Sequence, residues 1–300
     1  MPAPTHTPGA GGVARFRPVV LHFQGVLRMP EPVPEIISRR QVEPMPADHT
    51  DTAVAALRRA QGYADHPEAS GGDPNHYRGL QIRAWKGLHD DLAAELARRV
   101  PAGGRVLDLA AGSGAMSLRL TDMGYAVTAS DLIGESFRLH GQVPFVAADL
   151  NGAFSEPFAG QFDAVMAVEL IEHLENPWHF LRQCFAILRP GGHLFVTTPN
   201  INNAASKAIL VRFGYNAQFS EASYRRNGHI TPVSFIQLRL CGTEAGFEPA
   251  EMRTYAEKFG QARGQPKLLL LSRLLEALTI QERWLSGSVL VATFRKPAGA

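Results

Sequence analysis

Cysteine is nearly absent: Cys184 and Cys241 are the only two in 300 residues. That excludes a disulfide framework and a C-x-x-C zinc site, and it makes a reducing, cytoplasmic setting the expectation. Charge is sparse and balanced, with 30 Lys and Arg against 28 Asp and Glu and a net of +2. Such a field does not predict a nucleic-acid binder. No apolar run approaches the ~18 residues a membrane span needs. The opening MPAPTHTPGAGG also lacks the charged start and apolar core of a signal peptide. What is present is an ordinary apolar share of 45%, in a chain long enough to bury a core without staples.

Proline is unevenly spent. Nine of the 21 prolines fall within residues 1–50, in runs such as MPEPVPE (29–35) and EPMPAD (43–48). These runs cannot form regular helix or central strand. Residues 1–50 are therefore expected to be an extended or disordered arm, with Val19–Phe23 its one apolar patch. Residues 51–76 read as a linker with partial helix. From Tyr77 the pattern becomes that of a folded domain, 77–300, with insertions near 201–231 and 260–285. Apolar spacing predicts a helix over 76–100. Strand-like runs follow at Val106–Leu109, 125–131, 144–150, 162–169, 193–200, 247–259 and 286–297. Helices are expected from about Ala115 to Met123, over 176–188 and over 234–246, with RPGG (189–192) closing the second. The alternation implies an α/β fold with a doubly wound, mostly parallel sheet and helices on both faces.

The chemistry concentrates at the predicted strand ends. Asp108-Leu-Ala-Ala-Gly112-Ser113-Gly114 ends a strand in a carboxylate, turns on two glycines and enters a helix. The glycines let backbone approach a ligand closely. A dinucleotide fingerprint would need a third glycine where Ser117 stands. Asp131 ends the next strand, 131 − 108 = 23 positions on, a distance that suits a carboxylate accepting from a ribose diol. Asp149 ends the strand after that, placed to accept from an exocyclic amine. A single Asp at a strand end more often caps a turn; three in this order converge on one crevice.

The ordered set VLDLAAGSG (106–114), SDL (130–132), AADL (147–150), FDAVMAVELIEHLENP (162–177), LRPGGHLFVTTPN (188–200) and NGHITPVSFIQLRLCGTEAGF (227–247) resembles the class I S-adenosylmethionine-dependent methyltransferases. It is most similar to the group that includes the ubiquinone-biosynthesis O-methyltransferases. Ala111 stands where that group usually has Cys or Gly, a backbone position. The resemblance implies a Rossmann-like, seven-stranded fold and S-adenosyl-L-methionine as cofactor. Asp108, Gly112, Ser113 and Gly114 would hold its methionine part and Asp131 its ribose. Leu132, Asp149 and Leu150 would frame the adenine, Tyr77 or the adjacent Arg78 would close the site, and Glu169 would border it.

The resemblance also marks His173 and His229 as candidate catalytic bases. With Glu169 and Glu172 they form a set seen in metal-dependent relatives, where a divalent ion such as Mg²⁺ orients the acceptor hydroxyl. The same glutamate can alternatively cap a helix. The expected acceptor is a small molecule. The leucine-rich stretch 267–280 is expected to be a helix packing on the domain or on a twin subunit; as an apolar lid or membrane-surface helix it would alternatively admit a lipophilic acceptor. Nucleic acid is disfavoured: Ala167-Val168-Glu169-Leu170 stands where DNA amino-methyltransferases carry a polar residue before Pro-Pro-aromatic. An RNA 2′-O-methyltransferase and a cofactor-binding scaffold without turnover are the alternatives. Trp178, Phe180 and Cys184 read as core, and Arg225-Arg226 as surface near the mouth.

Overall fold

A computed structural model of the chain describes residues 75–279 and 283–299. The expected arm and most of the linker lie outside the described residues. Parallel pairing builds the centre of the sheet. β3 (Arg105–Leu109), β4 (Ala126–Asp131), β5 (Phe145–Ala147), β6 (Phe162–Ala167) and β7 (Leu188–Pro199) run parallel. β8 (Glu251–Tyr255) and β9 (Val289–Arg295) complete the sheet, with β9 antiparallel to both β7 and β8. The order β5-β4-β3-β6-β7-β9-β8 places the reversal of winding between β3 and β6. Crevices for ligands open outside the carboxyl ends of strands at such a point.

Strand alternation decides which helix meets which face. Leu107, Leu109, Val165, Ala167, Leu194 and Val196 point to one side, buried with Phe180, Leu181, Cys184, Leu238 and Cys241. Those partners come from α3 (Pro177–Ile187) and α6 (Phe235–Ala245), so Phe180 and Cys184 are core, as expected. Val106, Ala164, Met166 and Phe195 point the other way. They meet leucines of α1 (Leu88–Arg99) and Met116 and Leu120 of α2 (Ala115–Asp122). Glu95 of α1 is buried, but it accepts from Thr293 Oγ1 at 2.7 Å and Arg253 Nε at 3.0 Å. Those bonds tie α1 to the β8–β9 edge and offset the desolvation of its charge.

Three expectations change. The helix predicted over 76–100 begins only at Leu88. Before it, β1 (His76–Tyr77) and β2 (Leu80–Gln81) pair as a tight hairpin. Arg78 and Gly79 turn it at positive φ (47° and 82°), and Ile82 N–H donates to Asn75 C=O at 2.6 Å. Leu80 and Trp85 still face the core, but from the hairpin and its link to α1. RPGG does not stop the chain after α3: β7 runs through it, and Gly191 and Gly192 exchange backbone bonds with Lys296.

The third change concerns α7 (Pro266–Leu278), which packs with α4 (Ala204–Phe213) in a separate apolar cluster of Ala205, Ala208, Ile209 and Leu268. Helical spacing groups Ser272 with Arg273, Glu276 and Thr279 on one side, the leucines covering the rest; instead Ser272 faces inward and its Oγ donates to Leu268 C=O, while Leu270, Leu274 and Leu278 face outward. A small hydroxyl that satisfies itself on its own helix admits closer packing than a leucine would. Among the described residues no helix is long and apolar enough to cross a membrane.

Candidate functional site

The loop after β3 is shaped by backbone conformation. Ala110, Gly112 and Gly114 all have positive φ (57°, 55° and 95°). A Cβ on Gly112 would meet nothing within 4 Å, so that side stays open to a ligand. Gly114 serves packing instead: a Cβ there would sit 2.9 Å from Leu139 and 3.0 Å from Phe137. Asp131 fixes the loop by accepting from Gly112 N–H at 2.8 Å, and its other oxygen accepts from Ile133 N–H at 3.1 Å. Each carboxylate oxygen keeps a second lone pair. Ser113 Oγ donates to Gln81 C=O at 2.9 Å, which anchors the loop to the β1–β2 hairpin.

Asp108 lies beneath this loop, buried, and accepts from Ser117 Oγ at 2.6 Å. Ser117 therefore has a role in place of the absent third glycine. Burial pushes the Asp108 carboxyl up to about 7, and the nearby Asp131 charge adds to the shift. Asp149 is exposed at the end of the strand after Asp131 and accepts from Asn151 N–H at 2.9 Å. Leu132 is half-buried beside Asp131. Leu150 is buried in the core with Phe154 and Phe180. Tyr77 is held elsewhere: its hydroxyl donates to Asp122 at the far end of α2, and Arg119 covers its ring at 4.1 Å. The hairpin that replaces the expected helix turns it away.

Sequence reasoning missed Arg83. It follows β2 and lies close enough to Asp131 and His173 for its charge to act on both carboxylate and imidazole. Its only sequence signal is a cation six residues after Tyr77. Its placement depends on a hairpin that helical periodicity conceals.

A second cluster forms where β6 ends. Glu169 takes positive φ (50°). Its N–H donates to Thr197 Oγ1, and its carboxylate accepts from the same hydroxyl, both at 2.9 Å. A 3₁₀ turn, Ile171–His173, follows. The backbone carbonyl of Glu172 accepts from Ile230 and Thr231 N–H at 2.9 and 3.0 Å, which docks the insertion onto this turn. The insertion holds α4 and α5 (Glu221–Asn227), and α5 ends on Gly228 at positive φ. His173 Nδ1 lies 3.2 Å from Gly228 C=O, and His229 Nδ1 lies 2.9 Å from Gln218 C=O. A carbonyl only accepts, so both Nδ1 atoms carry the proton and both Nε2 atoms keep a lone pair. The rings meet edge to face with centroids 4.9 Å apart.

Burial governs the charges here. It pushes His173 down to about 4, and His229 downward as well. Both imidazoles are therefore neutral near pH 7. Burial raises Glu169 to about 7. Burial, with the neighbouring Glu169 charge adding to it, raises Glu172 well above the usual carboxylate range. Neither carboxylate oxygen of Glu172 has a hydrogen-bond partner, so this glutamate does not cap a helix. A buried carboxylate left in that state usually answers to a ligand or ion. One ligand atom each from Glu172, His173 and His229 lie within 4.8 Å of one another. That donor set fits a divalent cation, and carbonyl-anchored Nδ1–H groups are the usual support for histidine ligands. Glu169, expected in the same shell, is not among the three. Arg225 turns outward and pairs with Glu221 at 2.8 Å.

The chain belongs to a methyltransferase-domain family whose profile matches residues 77–251. It is a class I S-adenosylmethionine-dependent methyltransferase. It is 39% identical over 129 residues to a ubiquinone biosynthesis O-methyltransferase of Xanthomonas axonopodis pv. citri, covering 41% of this chain and 54% of that protein. The Bordetella avium protein of the same name is 31% identical over 159 residues, 50% of this chain and 65% of its own length. The chain thus spans about half to two thirds of these curated relatives. The fold also matches Haemonchus contortus phosphoethanolamine N-methyltransferase 2 bound to S-adenosyl-L-methionine. That match has a TM-score of 0.50 at 16% identity, over 83% of this chain and 58% of that one.

Proposed function

We propose that this methyltransferase methylates a hydroxyl of a small molecule. S-adenosylmethionine, when bound, supplies an electrophilic methyl on a sulfonium. Asp108 and the open backbone at Gly112 are placed to receive its cationic methionine end. Asp131 would offer its two remaining lone pairs to a ribose diol, and Asp149 would accept from the adenine amine. Arg83 is placed to meet the α-carboxylate. The acceptor hydroxyl sits against the histidine pair, and one Nε2 takes its proton as the oxygen attacks. Transfer of that methyl to the deprotonating oxygen would leave a methyl ether, the neutral thioether and the proton on the imidazole. Alignment of the two reactants accounts for much of the rate, and the base matters most for an alcohol or phenol whose pKa lies above the working pH.

The observation that carries this reading is the edge-to-face pair His173–His229, with both Nδ1 atoms anchored on carbonyls. The unpaired Glu172 favours a metal-assisted version, in which a divalent ion such as Mg²⁺ would be held by Glu172, His173 and His229 and would lower the acceptor's pKa.

The test is transfer of labelled methyl from S-adenosylmethionine to a panel of hydroxylated small molecules. His229→Ala should lower turnover by roughly 10²–10⁴ while calorimetric cofactor affinity stays unchanged. Loss of turnover in chelator, restored by Mg²⁺, selects the metal version; indifference to chelator selects the direct base. Full activity in His229→Ala would end both.

A further inference from the structure

The helix α7 is apolar on both sides. Inward, Leu268 and Ser272 are buried, and Leu271 and Leu275 pack against the cluster that holds Ala205, Ala208 and Ala262. Outward, Leu270, Leu274 and Leu278 are 70%, 54% and 69% exposed. Their spacing of four residues puts them in one stripe along the helix, with the exposed Ala277 beside it. Three leucines in line make an apolar patch on the order of a few hundred Å², the size that marks a contact surface on a soluble protein. The charges at its edge narrow what can cover it. Arg273 and Glu276 lie on the same flank of the stripe. Glu276 pairs with Lys258 at 2.6 Å, whereas the exposed Arg273 has no ion pair among the described residues.

We infer that a second copy of this chain covers the stripe, with the two α7 helices antiparallel about a twofold axis at Leu274. Such an axis sets Leu274 against its twin, and Leu270 of each chain against Leu278 of the other. It also brings Arg273 of each chain level with Glu276 of the other, to within about one residue's rise of ~1.5 Å. In an antiparallel isologous pair this flank faces its own copy, so self-pairing needs both signs of charge on it. That condition is met here. An anionic bilayer fits less well, because a surface helix borders its apolar face with Lys and Arg, and an acid stands beside Arg273. The patch is small. With α7 alone in contact, even the doubled area falls below the ~1,200 Å² of stable interfaces, so the pair is a weak, concentration-dependent dimer. The inference goes beyond the methylation reading and does not depend on it.

Sedimentation velocity of the full chain across the micromolar range is the test. The wild type should pass from monomer toward dimer as concentration rises. Leu274→Glu sets two like charges on the axis and should weaken association at least about tenfold. Leu270→Glu should act in the same direction at the ends of the stripe. Unchanged melting temperatures report that both variants are folded, since both side chains already face solvent. Mixing tests the flank. Arg273→Glu leaves two acids on it and Glu276→Arg two bases, so each alone should associate more weakly than the wild type. An equal mixture of the two should recover association. A wild type that stays monomeric throughout, a dimer indifferent to both leucine variants, or a mixture no tighter than its separate components would overturn the inference. So would monomers that bind phosphatidylglycerol vesicles through Leu274 without pairing in solution, which would assign the stripe to a lipid surface.

Discussion

Asp108 carries an ionisation that folding has made costly. Its carboxyl is raised from 3.8 to about 7 by burial and by the Asp131 charge, and each unit of such a shift corresponds to about 1.4 kcal/mol. The sign follows from linkage. Because the folded value lies above the unfolded one, the native state keeps its proton longer. The stability this confers is full below the unfolded value and is lost as pH rises through about 7. Asp108→Asn removes that titration and keeps an oxygen for Ser117. The melting temperature of the variant should gain on that of the unliganded wild type from about pH 5 to about pH 8, as expected for a buried acid that must ionise. A gap that stays constant would place the Asp108 carboxylate in ordinary solvation. The three acids were legible in the sequence because parallel strands bring their carboxyl ends to one edge. Tyr77 and Arg83 were not, because their positions depend on two positive-φ residues, Arg78 and Gly79, that helical spacing hides.

Among the elements, α6 shows why packing overrides propensity. Gly242 lies within this helix, where alanine would ordinarily gain about 1 kcal/mol. A Cβ at that position would stand 2.1 Å from the Phe294 ring on β9, and both residues are buried. Overpacking of this kind costs about 1–3 kcal/mol or more. Gly242→Ala should therefore lower the denaturation midpoint despite its better propensity; an unchanged or raised midpoint would mean that the helix shifts freely on the sheet. The ends of α3 and α6 carry capping and breaker residues. Asn176 bonds His179 N–H and Ser234 bonds Gln237 N–H at their helix starts, and Gly246 closes α6. The leucine-rich α7 was readable as a helix but not in its orientation. Leucines nearly encircle it, so periodicity does not say which of them faces α4.

At the scale of the molecule, two constructions meet. A parallel sheet supplies a rigid edge with Asp108, Asp131 and Asp149. The insertion carrying α5 bonds its backbone to Glu172 and brings His229 to His173. The edge follows from topology and was legible from strand order. The docking of the insertion was legible only as a candidate pairing, because the bonds that fix it are backbone bonds to a 3₁₀ turn. In the function proposed here, this edge holds S-adenosylmethionine with Asp131 on the ribose. The most direct test is calorimetric titration of S-adenosylmethionine into the wild-type chain and into Asp131→Ala. Loss of the paired hydrogen bonds to a neutral diol should weaken binding by about 1–3 kcal/mol, on the order of 5- to 150-fold. Saturable one-to-one binding that falls by this factor is the predicted result; equal affinity in the two proteins, or no binding to the wild type, would contradict it.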